Sequence, residues 1–476
     1  MYFEPPPQDT TARTWNLLMA VLALFVAAAV AVQIGSIVTE GGSSDFTSIL
    51  EGDQRVRIGL SDLFAGDLEQ EAAAAVKLYD KARPSPGACR RMGLTKEAFL
   101  NQSGASDFKI LASRAATKGL DKSQVARLAE ESAMWREIYA PARLTRSRAE
   151  QFARRVARLD LGPLEMVAVS QIKARSGQSA EAEAALEEAQ KRATHSLILF
   201  TAAIAVLGAA GLVGIPIAVL FFVRYGRSLA AGRRVGNHPS ALLGAFIVYL
   251  LTFSLLGAGL VAFAHTPTRA APNPVAPVGL ILQGCAMVVG ILAGLLVLGS
   301  YSRQLKDTLA GIGMRLHSLR QLPIRSGVKW GVGGYCAVIP FLAVTLLISQ
   351  YLSRTVFKDV PTPDHPLLPA INPENGLTFA VAFVLAAVVA PLVEETAFRG
   401  LLYTSLRART GVVASVIISA AIFAAIHPTL PAQFLPIFAL GCAFALLREK
   451  TGSLAPSMIC HGINNAVGLL FVWLIS

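Results

Sequence analysis

Near the C-terminus the stretch PLVEETAFRG, residues 391–400, sets two carboxylates and a guanidinium in apolar sequence, with LTFAVAFVLAAVVA before it and LLYTSL after it. Placing a charge at the centre of a bilayer costs about 2.5–3.5 kcal/mol on insertion scales, so charges at that depth are kept for a partner or for chemistry. In a helix Glu395 and Arg399 lie four apart on one face, in the favourable order, while Glu394 is rotated about 100° away. Arg399 therefore neutralises Glu395, and Glu394 points elsewhere as a candidate base. Downstream, AAIFAAIHP puts Phe423 and His427 four apart, and MICHGINNAVG does the same for His461 and Asn465. A carboxylate beside a neutral imidazole can hold and deprotonate a water for attack on a carbonyl. A second imidazole with a carboxamide one turn on supplies donors to a developing oxyanion. The set matches peptide-bond hydrolysis. Glu394, His427 and His461 could also form a three-ligand zinc site with an open position. The chain has no HExxH pair, however, and the metal-free reading is preferred.

These side chains require three apolar helices that present polar groups inward. The connection LRARTG (406–411) reads as a helix-to-helix turn, with Arg407 and Arg409 as terminal cations and Gly411 as the stop. At ~1.5 Å per residue, Glu394 lies about 22 Å along the incoming helix and His427 about 24 Å along the outgoing one. They meet at one level, which requires the Glu394 helix to run well past the end of its apolar stretch. His461, after REKTGSLAPS, is only about a turn and a half into its own helix, so either that loop dips inward or a cavity opens toward the cytoplasm.

The remainder of the chain agrees with a membrane setting. Of 476 residues 53% are hydrophobic and 16% charged, with mean hydropathy +0.52, which excludes an ordinary soluble domain. Residues 17–38, 197–223, 241–264, 276–300, 330–350 and 376–393 are each long enough to cross the hydrocarbon layer, and a further helix-sized group runs from 411 to the end. The formal charge of +12 is gathered between spans, which is a topology signal rather than a nucleic-acid surface. Arg224, Arg227, Arg233 and Arg234 mark one cytoplasmic connection, and Arg303, Lys306, Arg315, Arg320, Arg325 and Lys329 another. The connections around Arg269 and through VPTPDHPLLPAINP then lie outside, Met1 lies in the cytoplasm, and the first span reads as a signal anchor. The alternative is a cleaved signal peptide ending near Ala29-Val30-Ala31. Five cysteines (Cys89, Cys285, Cys336, Cys442, Cys460) show no CxxC spacing, and Cys89 alone lies in polar sequence, so no disulfide can form there.

Residues 40–194 are the one substantial polar block, rich in Ala, Leu, Glu and Arg, with helical apolar spacing in DKSQVARLAEESAMWREIYA and LTRSRAEQFARRVARLD. Its tail places Gly177, Ala182 and Ala189 at the spacing of small residues in a tetratricopeptide hairpin, a candidate protein-docking surface. His238 and His265 fall at span ends and read as interfacial. The expected fold is all-α: a polytopic membrane helix bundle with an N-terminal extramembrane helical domain. Its expected divisions are 1–39 (cytoplasmic N-terminus and anchor), 40–194 (extracytoplasmic helical domain), 195–374 (scaffold spans) and 375–476 (catalytic membrane core).

EETAFR (394–399), FAAIH (423–427) and HGINN (461–465) together resemble, in order and spacing, the EExxxR, FxxxH and HxxxN motifs of the CPBP family, the CAAX-processing and bacteriocin-processing membrane proteases. The resemblance covers about residues 376–476. It implies Glu394 and His427 as water activators, His461 and Asn465 as the oxyanion site, Glu395, Arg399 and Phe423 as support, and no cofactor. It further implies a protein or peptide substrate entering from the membrane or the cytoplasmic leaflet. Prenylated CAAX proteins are the substrate class of some relatives, and nothing in this sequence specifies prenyl recognition. The expected location is a cell (inner) membrane with 40–194 outside and no nucleic-acid partner. The competing reading, a non-catalytic membrane partner or immunity-type protein, is motivated by the outer helical block. Transport is disfavoured because no duplicated half is present.

Overall fold

The computed structural model describes residues 8–40, 45–61, 63, 67–113, 116, 122–159, 161–230, 238–264, 277–301, 309–314, 324–357 and 376–475. His265, Arg233, Arg234, Arg269, Arg303, Lys306, Arg315, Arg320 and the VPTPDHPLLPAINP connection lie outside them, as do the side chains of Arg227 and Arg325. All regular structure among the described residues is helical. Seven helices carry segments long and apolar enough to cross a membrane: 12–34, 179–226, 239–260, 277–300, 326–355, 376–409 and 455–474. The chain is an all-α, multi-pass membrane protein.

Two compact units form. One comprises Gly42–Ile204 with Phe471–Ser476, the other Met1–Gly41 with Ala205–Leu470. After α1 (Gln8–Glu40), the polar sequence folds as α2 (Asp45–Leu60), α3 (Leu68–Lys81), α4 (Pro86–Phe99), α5 (Ala105–Ile110), α6 (Lys122–Ile138), α7 (Arg146–Val156) and α8 (Glu165–Arg175). The starts are set locally. Asp67 caps α3 through the Glu69 N–H, Ser85 caps α4 ahead of Pro86 at its first turn, and Thr145 caps α7 through the Arg148 N–H. The core centres on stacked Phe108, Trp135 and Tyr139, with Phe108 ring centroids 5.3 and 5.6 Å from the other two. Buried Asp53 accepts from the Tyr79 hydroxyl (2.7 Å) and from Arg91 Nε (3.0 Å). The sequence SQIKARSGQSAEAEAALEEAQ forms a helical hairpin between α8 and the start of α9 (Ser179–Ala230). Gly177 takes φ +78°, Ser170 Oγ donates to Ala182 O (2.7 Å), and Ala182 and Ala189 are buried.

The other unit contains α1, α10 (Pro239–Ala264), α11 (Pro277–Ser300), α12 (Ile324–Thr355), α13 (Gly376–Arg409), α14 (Val412–Ala425), α15 (Phe434–Thr451) and most of α16 (Ala455–Ile475). Small residues set the spacing of α10 against α11: a side chain at Gly294 would begin 2.6 Å from the Ala245 carbonyl oxygen. α1 is tied to this unit near both ends. Trp15 Nε1 donates to Ser405 Oγ (3.2 Å), and Gln33 Nε2 donates to Ala425 O (3.2 Å). α13 continues far beyond its apolar run, as the depth argument requires, and turns into α14 through Thr410 and Gly411, both extended. α14 has 14 residues, about 21 Å, short of the ~30 Å hydrocarbon layer.

Candidate active site

Pro391 organises the helix that carries the two glutamates. It has no N–H to give Ala387 O four residues back, and the preceding stretch Leu385–Val389 winds as a π-turn in which the Ala390 N–H reaches Leu385 O. Ala386 O, which Ala390 would otherwise satisfy, accepts instead from Asn465 Nδ2 at 2.8 Å. On the same face of α16, Gly462 admits the Ala387 carbonyl oxygen, which lies 2.6 Å from where a Cβ would stand. A second π segment, Thr396–Leu402, frees the Arg399 carbonyl, which Thr404 Oγ1 takes up (3.2 Å).

Within this frame Glu395 and Arg399 form the expected pair: Arg399 Nη1 donates to Glu395 Oε1 at 2.9 Å, and both side chains are fully buried. Arg399 Nη2 donates to Gly441 O (3.0 Å), and its guanidinium carbon lies 4.5 Å from the Phe423 ring, 5.0 Å from Phe444 and 5.9 Å from Phe398. Three aromatic faces therefore enclose the cation where water cannot solvate it. The same Glu395 Oε1 meets His461 Nδ1 at 3.0 Å. A carboxylate only accepts, so Nδ1 carries a proton, and in the neutral ring Nε2 keeps its lone pair. That Nε2 faces Glu394 Oε2 at 3.8 Å, and the Glu394 side chain is 18% exposed against none for Glu395. Glu394 is the carboxylate that water can reach.

One expectation is corrected here. His427 does not sit on a helix: α14 stops at Ala425 because Pro428 disfavours helical geometry at the residue before it, and His427 lies in the following turn. It still meets Phe423, at 4.5 Å between rings, and its Nδ1 donates to Phe423 O at 2.6 Å. The imidazole measured against Glu394 is that of His461, a residue reasoned from the sequence to face the oxyanion. Asn465 commits one amide hydrogen to Ala386 O, while its Oδ1 accepts from Asn464 Nδ2 at 3.2 Å. Among the described residues no group of three or more His, Cys, Asp or Glu side chains that could hold a metal ion is present.

Sequence reasoning missed the helix between the FAAIH and HGINN motifs. α15 supplies the Gly441 carbonyl to Arg399 and Phe444, which stacks on His461 at 4.9 Å with 20° between planes. The apolar run FLPIFALGCAFALL was visible, and a buried guanidinium with one carboxylate for company needs further acceptors, which is the signal that pointed to it.

A carboxylate, two imidazoles and a caged ion pair are held where apolar helices cross. Residues 376–467 match the family described as type II CAAX prenyl endopeptidase Rce1-like. This segment, covering α13 to α15 and most of α16, is an Rce1-like protease domain of the CPBP family. Comparison with curated proteins and with solved structures finds no match.

Proposed function

We propose that the protein is an intramembrane endopeptidase in which Glu394, His427, His461 and Asn465 are catalytic. The observation that carries the reading is the sequence of contacts Glu395–His461–Glu394, at 3.0 and 3.8 Å. A water in hydrogen-bond reach of both Glu394 Oε2 and His461 Nε2 has its two hydrogens held and a lone pair directed at the substrate carbonyl. Attack forms the C–O bond, Glu394 takes the proton, and the carbonyl becomes an oxyanion. The C–N bond then breaks and the proton passes to the departing amine. Glu395 holds the His461 ring and its tautomer, as the carboxylate does in a Ser-His-Asp triad. Arg399 keeps Glu395 in place. His427 can take the place of His461 as the second acceptor of the water, and the second amide hydrogen of Asn465 donates to the oxyanion. The scheme draws on these side chains alone, without a cofactor.

The substrate in this reading is a protein or peptide reaching the site from the membrane or the cytoplasmic leaflet. The family description makes a prenylated CAAX peptide the first class to try. Residues 40–194 lie outside the cytoplasm, in a cell (inner) membrane setting, where their helical surface is available to a protein partner.

The test compares new protein N-termini in host membranes carrying the wild-type chain with those carrying Glu394→Gln at matched abundance. Cleavages are expected to vanish with the substitution. Identical profiles would remove Glu394 from catalysis and favour a binding role.

A further inference from the structure

His427 stands in a turn rather than on a helix, so its ring direction depends on how the last turn of α14 is held. A helix leaves its final carbonyls without intrahelical donors, and each of them needs another partner when buried. Around His427 these partners can be followed one by one. Ile422 O accepts the Ile426 N–H (3.2 Å), and Ala424 O accepts the His427 N–H (3.3 Å). Phe423 O accepts from His427 Nδ1 (2.6 Å), so the ring is bonded back onto its own helix. Ala425 O would take the Thr429 N–H in a continuing helix, but Pro428 breaks the winding and that N–H goes to His427 O (2.8 Å).

The donor to Ala425 O comes from the other end of the chain: Gln33 Nε2, at 3.2 Å and 392 positions away in sequence. Residues 17–32 of α1 are apolar throughout, and Gln33 follows them as a half-buried amide. Its reach to Ala425 is set by register. Trp15 fixes α1 beside the end of α13 through Ser405 Oγ (3.2 Å) and lies against the Arg409 guanidinium (5.8 Å to the ring centre). Eighteen residues on, about 27 Å along the helix, Gln33 arrives at the far end of α14. The two bonds from His427 tie its ring to α14, and the Gln33 bond ties the end of α14 to α1. Phe423, which stacks its edge on His427 and its face on Arg399, holds the opposite side of the same turn.

We infer that Gln33 is a positioning residue for the reaction: by holding the Ala425 carbonyl it fixes the turn that aims His427 at the attacking water. The inference rests on the endopeptidase reading. It makes α1, which lies outside the family segment, a working part of the site. Cleavage after Ala31 would free Gln33 from the helix that sets its register, so α1 stays attached in the active protein.

Gln33→Met tests it, since the side chain keeps its length and loses the donor. The substrate is a peptide spanning a cleavage site mapped in the N-terminal comparison, followed in single turnovers with enzyme in excess so that weak variants are measurable. Loosening the turn is expected to lower the maximal rate about 10-fold, toward the about 10²-fold that a 1 Å misplacement brings. The substrate concentration for half-maximal rate should change less than about twofold, and the melting temperature should be unaltered. A structural role elsewhere would give the first result too, so the substitution is repeated in His427→Ala. There it should change the rate less than about twofold, because a residue acting through His427 has nothing left to position. A wild-type rate in Gln33→Met, a full further loss in the His427→Ala background, a lowered melting temperature or a mature chain beginning after Ala31 would each overturn the proposal. Glu394→Gln is run beside these: full activity there defeats the endopeptidase reading itself, whereas an inactive Glu394→Gln with a fully active Gln33→Met defeats only the role of Gln33.

Discussion

Arg399 has no contact with solvent, and each of its interactions replaces a piece of hydration: a carboxylate, a backbone carbonyl and three ring faces. Removing one member of a buried ion pair strands the other, and the usual cost is about 3–5 kcal/mol. Arg399→Ala is therefore expected to lower stability by that amount in a detergent-solubilised melting or denaturant titration. Arg399→Lys should recover only part of it, because an ammonium cannot reach Glu395 and Gly441 as a planar fork while lying against Phe423. Unchanged melting of the Ala variant would show the pair to be solvated. The same logic applies to Glu394 and Glu395, which are adjacent in sequence and differ in surroundings. One is enclosed with its counterions, and the other opens onto the side where a water can sit.

At the scale of elements, α13 and α16 are matched through their irregularities. The proline in α13 opens a π-turn, the π-turn exposes two carbonyls, and α16 meets them with an amide at Asn465 and the absence of a side chain at Gly462. A Cβ on Gly462 would begin 2.6 Å from Ala387 O, and the obstacle is backbone, which cannot rotate away. Gly462→Ala is expected to destabilise by about 1–3 kcal/mol and to displace His461 from the glutamates. The check is melting temperature together with activity on the mapped substrate: both should fall, and a variant equal to wild type in both would mean that the two helices do not approach this closely. Much of this was legible beforehand. The spacing of Glu395 and Arg399 specified their pair, because i to i+4 geometry is local. The π-turns were not legible, since they depend on what α16 offers across the contact.

At the scale of the whole molecule, the helical unit Gly42–Ile204 carries its own reporter. Cys89 is completely buried, and burial pushes its thiol up to about 11, Asp107 adding to the effect and Arg83 opposing it. At pH 8 the group is therefore both protonated and shielded. Alkylation by N-ethylmaleimide, followed by mass spectrometry of the Cys89 peptide, is expected to be negligible in the native protein and to appear only as denaturant opens this unit. Rapid native labelling would show that the stacked Phe108, Trp135 and Tyr139 core does not hold it closed.

The sequence by itself determined the helical, membrane-spanning character, because span length and charge distribution answer to the bilayer alone. It also specified the pairing of Glu395 with Arg399, because buried charge in apolar helices has so few permitted uses. Tertiary structure decided how the side chains of the site face one another. Pro428 takes His427 off its helix, α15 brings Phe444 and Gly441 to the cage, and His461 lands on Glu395 rather than standing apart. None of these has a local signature: each depends on the register between helices distant in sequence, which is set by where small residues, ring faces and freed carbonyls let two backbones approach.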